Sequence, residues 1–212
     1  MTRGEFFLRW SELHGGAQIK GIVKWWLTIS YEISRPLRWV PPSLITFSAL
    51  IFAALFLQEI SSPLAILYLV LTLLIDGIDG TVAILAGKVS RTGAILDAFV
   101  DRIVETAWAY GLFLLGAAWE LVLIAWLASF VQEYARARAA GLGESEVGMV
   151  TIAERPVRAT LIFIALIAIW VGIAEQNQIA AICSGVWALM QTIAFLSLFR
   201  SLRSRLHSAS PN

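Results

Sequence analysis

Cysteine and histidine are nearly absent, with one Cys and two His in 212 residues. Cys183 stands alone in an apolar run and supports neither a disulfide nor a thiol-metal site. His14 and His207 are too few and too far apart for a zinc centre or a hydrolase triad. Charge is sparse as well: Asp, Glu, Lys and Arg together make 15% of the chain, against 58% hydrophobic residues. A mean hydropathy of +0.76 exceeds that of soluble domains and points to a polytopic membrane protein. There is no Walker loop, no internal repeat and no cleavable secretory signal, and no nucleic-acid partner is expected.

What is present is unevenly placed. All four aspartates, Asp76, Asp79, Asp97 and Asp101, lie within 26 positions of one another in LIDGIDGTVAILAGKVSRTGAILDAFVDR. The pairs are spaced i, i+3 and i, i+4, so on helices each pair shares one face. Two such helices side by side collect four hard oxygen ligands, which suits Mg²⁺ or Mn²⁺ completed by water and substrate phosphate.

The chain has room for six spans of ~20 residues, read at about 40–58, 63–86, 92–116, 119–140, 157–175 and 179–200. The connections 59–62, 117–118 and 176–178 carry no Lys or Arg, and Arg102 is the one basic residue deep within a span. The positive-inside rule then puts both termini and the connections 87–91 and 141–156 in the cytoplasm of a multi-pass cell-membrane protein. Residues 19–40 mix Lys20, Lys24, Arg35 and Arg38 with Trp25, Trp26, Leu27 and Ile29, as an interfacial amphipathic helix on an anionic leaflet does. A seventh, poor span is the alternative. The expected architecture is an all-α integral membrane domain over 1–212: an N-terminal interfacial segment 1–39, a six-helix core 40–200 and a basic, Ser-rich, frayed cytoplasmic tail 201–212.

Counting at 1.5 Å per residue from the outer ends places Asp76 about 20 Å deep, Asp79 about 24 Å, Asp101 about 26 Å and Asp97 about 32 Å. All four fall in the cytoplasmic third, where a bare carboxylate is costly and must be protonated, paired or metal-bound. Pairing with Arg102, Arg136 or Arg138 in a purely structural network is the plainer reading. Gly77, Gly80 and Gly93 leave room beside the carboxylates for a bulky ligand, or equally for helix packing.

The pattern Asp76-x2-Asp79-Gly80-x2-Ala83 followed by Gly93-x3-Asp97-x3-Asp101 resembles the signature of the CDP-alcohol phosphotransferases. Pro42-Ser43-Leu44-Ile45-Thr46 is similar to that family's Pro-Asn-x-x-Thr segment, with Ser43 in place of Asn. The resemblance implies a six-span fold, usually a homodimer, that moves a phosphatidyl group from a CDP-linked lipid, CDP-diacylglycerol first, to an alcohol and releases CMP. It implies two metal ions on Asp76, Asp79, Asp97 and Asp101, with Asp101 also the general base. Gly80, Ala83, Gly93 and Thr46 would serve the donor. The family usually has Arg after the Ala, and here that position is Ile84; Lys88, at i+4, is either a replacement charge or an ordinary loop lysine.

EYARARAAGLG and TIAERPVR cluster Arg136, Arg138, Arg155 and Arg158 at cytoplasmic span ends. These segments resemble actinobacterial phosphatidylinositol phosphate synthases, which implies an acceptor phosphate such as inositol phosphate or glycerol phosphate; the same arginines also serve as topology signals. Two readings of other classes remain: an intramembrane prenyltransferase acting on an isoprenoid diphosphate, and a non-enzymatic carrier or inactive homologue.

Overall fold

Thr2 and Glu5 start the chain's first helix by a reciprocal cap. The Glu5 N–H donates to Thr2 Oγ at 3.3 Å, and the Thr2 N–H to Glu5 Oε2 at 2.7 Å, satisfying two of the donors a helix start leaves open. This helix, α1 (Arg3–Leu13), was not expected from the sequence. The computed structural model describes residues 1–142 and 151–208, and the side chains of all these except residues 22 and 204–208.

The amphipathic run expected over 19–40 forms α2 (Gly21–Leu37). The core follows as α3 (Pro42–Gln58), α4 (Leu64–Leu85), α5 (Arg91–Leu114), α6 (Trp119–Gly141), α7 (Arg155–Val171) and α8 (Gln176–Ser208). Each expected span thus has its helix. The last one continues beyond residue 200 into the expected tail, whose end at 209–212 lies outside the described residues, as does 143–150 of the α6–α7 connection.

Length and apolar composition alone single out two helices able to cross a membrane among the described residues, Leu64–Leu85 and Gln176–Arg203. The α2–α3 pair, bent by 108°, is a third if read as one broken span. The other core helices fall short for identifiable reasons. α3 and α7 have 17 residues each, roughly 26 Å of rise against ~30 Å of hydrocarbon. α5 and α6 carry their charges, Asp97, Asp101 and Glu105 on one and Glu133, Arg136 and Arg138 on the other, inside the helix.

Two compact units emerge from the contacts, Met1–Ala54 with Val70–Val104, and Leu55–Leu69 with Glu105 onward. In the first, α2 lies against the motif-bearing part of α4. Ser30 Oγ donates to the Gly77 carbonyl at 2.9 Å and is 2.7 Å from Thr81 Oγ, while Ser34 Oγ reaches the Ile78 carbonyl at 3.4 Å. The Trp26 indole occupies the space where a Cβ on Gly77 would stand, 2.2 Å from its Cζ2. At Gly77 the space is filled by a helix neighbour, so of the two readings of this glycine the structure favours helix packing. α1 completes this unit's apolar cluster: Phe6, Leu27, Tyr31 and Ile84 are all buried together.

In the second unit, buried polar side chains tie α6 to α8. Trp187 Nε1 donates to Ser129 Oγ at 2.9 Å, and Gln191 Nε2 to Gln132 Oε1 at 2.7 Å. Gly111 admits the Phe56 ring, which would stand 2.7 Å from an added Cβ. Such small-residue contacts and side-chain hydrogen bonds are what hold helices together where lipid removes the hydrophobic drive.

Gly77→Ala should lower the melting temperature in detergent, because overpacking of this kind costs typically ~1–3 kcal/mol. In a Trp26→Ala background the same change should cost nothing further. Additive losses would show that the indole is not what the new methyl meets.

Candidate metal and phosphate site

The turn between α4 and α5 sets the register of the four aspartates. The Lys88 N–H bonds the Ala83 carbonyl at 2.8 Å and the Gly87 N–H the Ile84 carbonyl at 3.1 Å, with Gly87 at φ +67°. This is a Schellman stop, whose left-handed residue favours glycine. Ser90 then caps α5, its Oγ accepting from the Gly93 N–H at 3.0 Å. The hairpin brings Asp76 to Asp97 and Asp101, and one ligand oxygen from each lies within 4.8 Å of the others. All three are half-buried. At that spacing each pair of charges repels by about 3 kcal/mol for an effective dielectric of ~20, and a divalent cation removes the cost.

Asp79 is held differently. It is buried, and its Oδ2 accepts from Thr46 Oγ at 2.5 Å while Oδ1 accepts from the Gly80 N–H at 2.6 Å. It remains within electrostatic reach of Asp76 and Asp97. Thr46, expected among the donor-binding residues, thus meets the fourth aspartate directly. Gly80 is open, with nothing within 4 Å of a Cβ built there, Ala83 is half-buried, and Gly93 is exposed beside its cap.

Ile84 and Lys88 depart from expectation. Ile84 is 5% exposed within the Phe6, Leu27 and Tyr31 cluster, so an apolar side chain is required where the resembled family carries Arg. Lys88 does not share a helix face with it. α4 ends at Leu85, and Gly87 reverses the chain before the exposed lysine. The i, i+4 argument for a replacement charge therefore fails.

The arginines at the ends of α6 and α7 are not a bare cationic patch. Arg136 grips Glu154 with both ends of its guanidinium, at 3.0 and 2.5 Å, and Glu133 lies 3.6 Å from it. Arg158, 1% exposed, pairs with buried Glu105, donates to the Ala153 carbonyl and to Gln191 Oε1 at 3.3 Å, and has Glu133 at 3.8 Å. Arg155 is buried with its guanidinium 5.2 Å from the Trp108 ring centre. Arg138 is exposed on the last turn of α6. The carboxylates of Glu105, Glu133 and Glu154 went unnoticed in the sequence, although acidic residues inside apolar spans, as Glu105 and Glu133 are, are themselves a signal.

Glu154 is the N-cap residue of α7, ahead of Pro156. Burial pushes its carboxyl up, but the Arg136 hydrogen bond, with the Thr151 N–H and hydroxyl at 2.7 and 2.8 Å, outweighs this and holds it at about 2 instead of 4.5.

The profile described as CDP-alcohol phosphatidyltransferase matches residues 39–198. An archaetidylinositol phosphate synthase of Pyrococcus horikoshii is 37% identical over 94 residues, 43% of this chain and 48% of that protein. Another archaetidylinositol phosphate synthase, from Aeropyrum pernix, is 34% identical over 106 residues, 48% of this chain and 54% of that protein. The chain thus spans about half the length of the curated relatives it matches. The crystal structure of Mycobacterium tuberculosis phosphatidylinositol phosphate synthase with CDP-DAG bound has a similar fold. Its TM-score is 0.64 at 21% identity, over 82% of this chain and 94% of that one.

Two predictions follow from the local geometry. Ile84→Arg should lower the melting temperature and loosen α1, read as faster proteolysis near the N-terminus, because it buries a charge in an apolar cluster. Wild-type stability and protease resistance in that variant would refute the packing assigned to Ile84. For Glu154, a depressed carboxyl stabilises the fold above its unfolded value, and this is lost as pH falls from 4.5 toward about 2. Glu154→Gln should flatten that part of the melting-temperature profile; an unchanged acid slope would remove Glu154 as its source.

Proposed function

Because the chain belongs to the CDP-alcohol phosphatidyltransferase family, we propose that it transfers a phosphatidyl-type group from a CDP-linked lipid to inositol phosphate, releasing CMP. The observation that carries this is the cluster of Asp76, Asp97 and Asp101 at the α4–α5 hairpin, inside the matched region. The acceptor follows from the names of the two archaeal relatives, with glycerol phosphate as the next candidate. Those names also make an archaetidyl donor the natural comparison for CDP-diacylglycerol.

Three hard carboxylate oxygens at this spacing fit a Mg²⁺ or Mn²⁺ site, and we assign Asp76, Asp97 and Asp101 to two ions, with Asp79 as a further ligand. Bound there, the ions would neutralise the donor diphosphate. Thr46 and the Gly80 N–H hold Asp79 in position, and the open face at Gly80 lets the nucleotide approach the backbone. Asp101 takes the proton of the acceptor hydroxyl as its oxygen bonds the lipid-side phosphorus, and the bond from that phosphorus to CMP breaks. Arg155 and Arg138 receive the acceptor phosphate, while glutamates hold Arg136 and Arg158 in fixed orientations.

We place α3 to α8 as six crossings, with both termini and the site on the cytoplasmic side, and the whole chain as one catalytic domain working as a homodimer. The basic residues at the helix ends and the sharp turn from α2 into α3 support this arrangement.

CMP release by the purified protein with CDP-diacylglycerol or CDP-archaeol, Mg²⁺ or Mn²⁺, and a panel of alcohols tests the reading. Asp76→Asn, Asp79→Asn and Asp97→Asn should abolish it. Asp101→Asn should lose about 10²–10⁴-fold in turnover while still binding CDP-lipid. Arg155→Ala and Arg138→Ala should each raise KM for inositol phosphate about tenfold or more, the worth of a charge-assisted hydrogen bond. Release that persists in excess EDTA would end the metal assignment, and release with neutral alcohols alone would end the acceptor assignment.

A further inference from the structure

A second polar feature lies at the opposite end of the sequence from the acceptor arginines. Between α1, the C-terminal turns of α2 and the end of α4 is an open cavity of about 650 Å³, bounded chiefly by Arg3, Glu5, Tyr31, Glu32, Arg35 and Arg38. No aspartate of the carboxylate cluster borders it. Its walls are firmly set: α2 is fixed to α4 by Trp26, Ser30 and Ser34, and Tyr31 ties α1 to α2 through a tilted ring contact with Phe6 and its hydroxyl bond to the Met1 carbonyl at 3.0 Å.

The charges of this cavity do not cancel. Three arginines, Arg3, Arg35 and Arg38, face two carboxylates, Glu5 and Glu32; Arg3 pairs with Glu32, and the Glu5 carboxylate accepts from the Thr2 N–H in the cap of α1. That leaves Arg35 in the last turn of α2 and Arg38 at its C-cap, both exposed and facing the same space. Neither is in an ion pair with any described carboxylate. Arg38 has its guanidinium carbon 4.8 Å from the Trp39 ring centre, a contact with the ring face that does not use its N–H donors. Trp39 is 78% exposed and Trp25 63% exposed, the placement expected of indoles at the headgroup level of a bilayer. Two guanidinium forks facing one cavity form a receptor for a phosphate-bearing anion.

We propose that this cavity is an anion site in which Arg35 and Arg38 bind a phosphate group. That group belongs either to an acidic phospholipid headgroup in the adjoining leaflet or to a free phosphoryl compound. The site is independent of the transfer chemistry, and bound anion would clamp α1 onto α2 and so reinforce the cover over Ile84.

Full-length protein in nanodiscs distinguishes the sources. In phosphatidylcholine discs containing phosphatidylglycerol, native mass spectrometry should find phosphatidylglycerol retained by the wild type and by Lys20→Ala/Lys24→Ala. Arg35→Ala/Arg38→Ala should retain it about tenfold less, consistent with loss of charge-assisted hydrogen bonds. In pure phosphatidylcholine discs, inorganic phosphate that raises the melting temperature of the wild type and not of the arginine variant would identify a free phosphoryl ligand. Circular dichroism checks that both variants fold, as exposed side chains allow. Equal behaviour of the arginine variant and wild type toward both probes overturns the proposal. So does an equal loss in the lysine variant, which would reduce the effect to general surface charge.

Discussion

Three negative charges held within a few ångströms of one another, on helices otherwise built of apolar residues, are the constraint around which this protein is organised. Because the three carboxylates are half-buried, water dilutes that repulsion only in part. The geometry is sustained by the neighbours of the carboxylates: a glycine stop and a serine cap that fix the hairpin, and a threonine and a backbone N–H that hold Asp79. The helix behind Asp76 is in turn immobilised by α2, whose hydroxyls bond the carbonyls of Gly77 and Ile78. The glycine stop and the serine cap are local in sequence, whereas Thr46 and the α2 serines reach the aspartate motif from 33 to 47 positions away.

The second unit resolves its charges by a different route. Two of its guanidinium groups, those of Arg136 and Arg158, are matched with glutamates, and a buried arginine–glutamate pair is weak as a source of stability but strong as a constraint on orientation. Arg158 shows this: Glu105, Glu133, Gln191 and the Ala153 carbonyl surround one planar group and leave it little freedom.

Much of this was legible in the sequence because it rests on spacing. Apolar runs interrupted by short connections located the core helices, with the end of α8 eight residues beyond the expected span. The i, i+3 and i, i+4 aspartate pairs announced four carboxylates in one place, of which Asp76, Asp97 and Asp101 meet while Asp79 is held by Thr46. The features that escaped depend on what lies across a contact. Gly77 reads the same whether it admits a ligand or an indole, and only the fold puts Trp26 there. Ile84 looked like a lost charge until α1 closed over it. The glutamates of the arginine network were hidden because pairing partners are up to 53 positions apart, as Glu105 and Arg158 are. One omission was avoidable: Thr2-x-x-Glu5 is a capping box in plain sight, and it begins the helix that gives Ile84 its role.

That role ties two distant parts of the chain into one heritable module. An arginine at position 84 and an apolar N-terminal cover are mutually exclusive, since closing Phe6, Leu27 and Tyr31 over a guanidinium would strand its charge. A chimera that borrows the first 37 residues from a family member with arginine at this position, while keeping Ile84, would join a cover and a socket shaped for different partners. Drift in the leading segment and drift at this one motif position are thus expected to be correlated across the family, a pairing that an alignment of the motif alone would record as an unexplained exception.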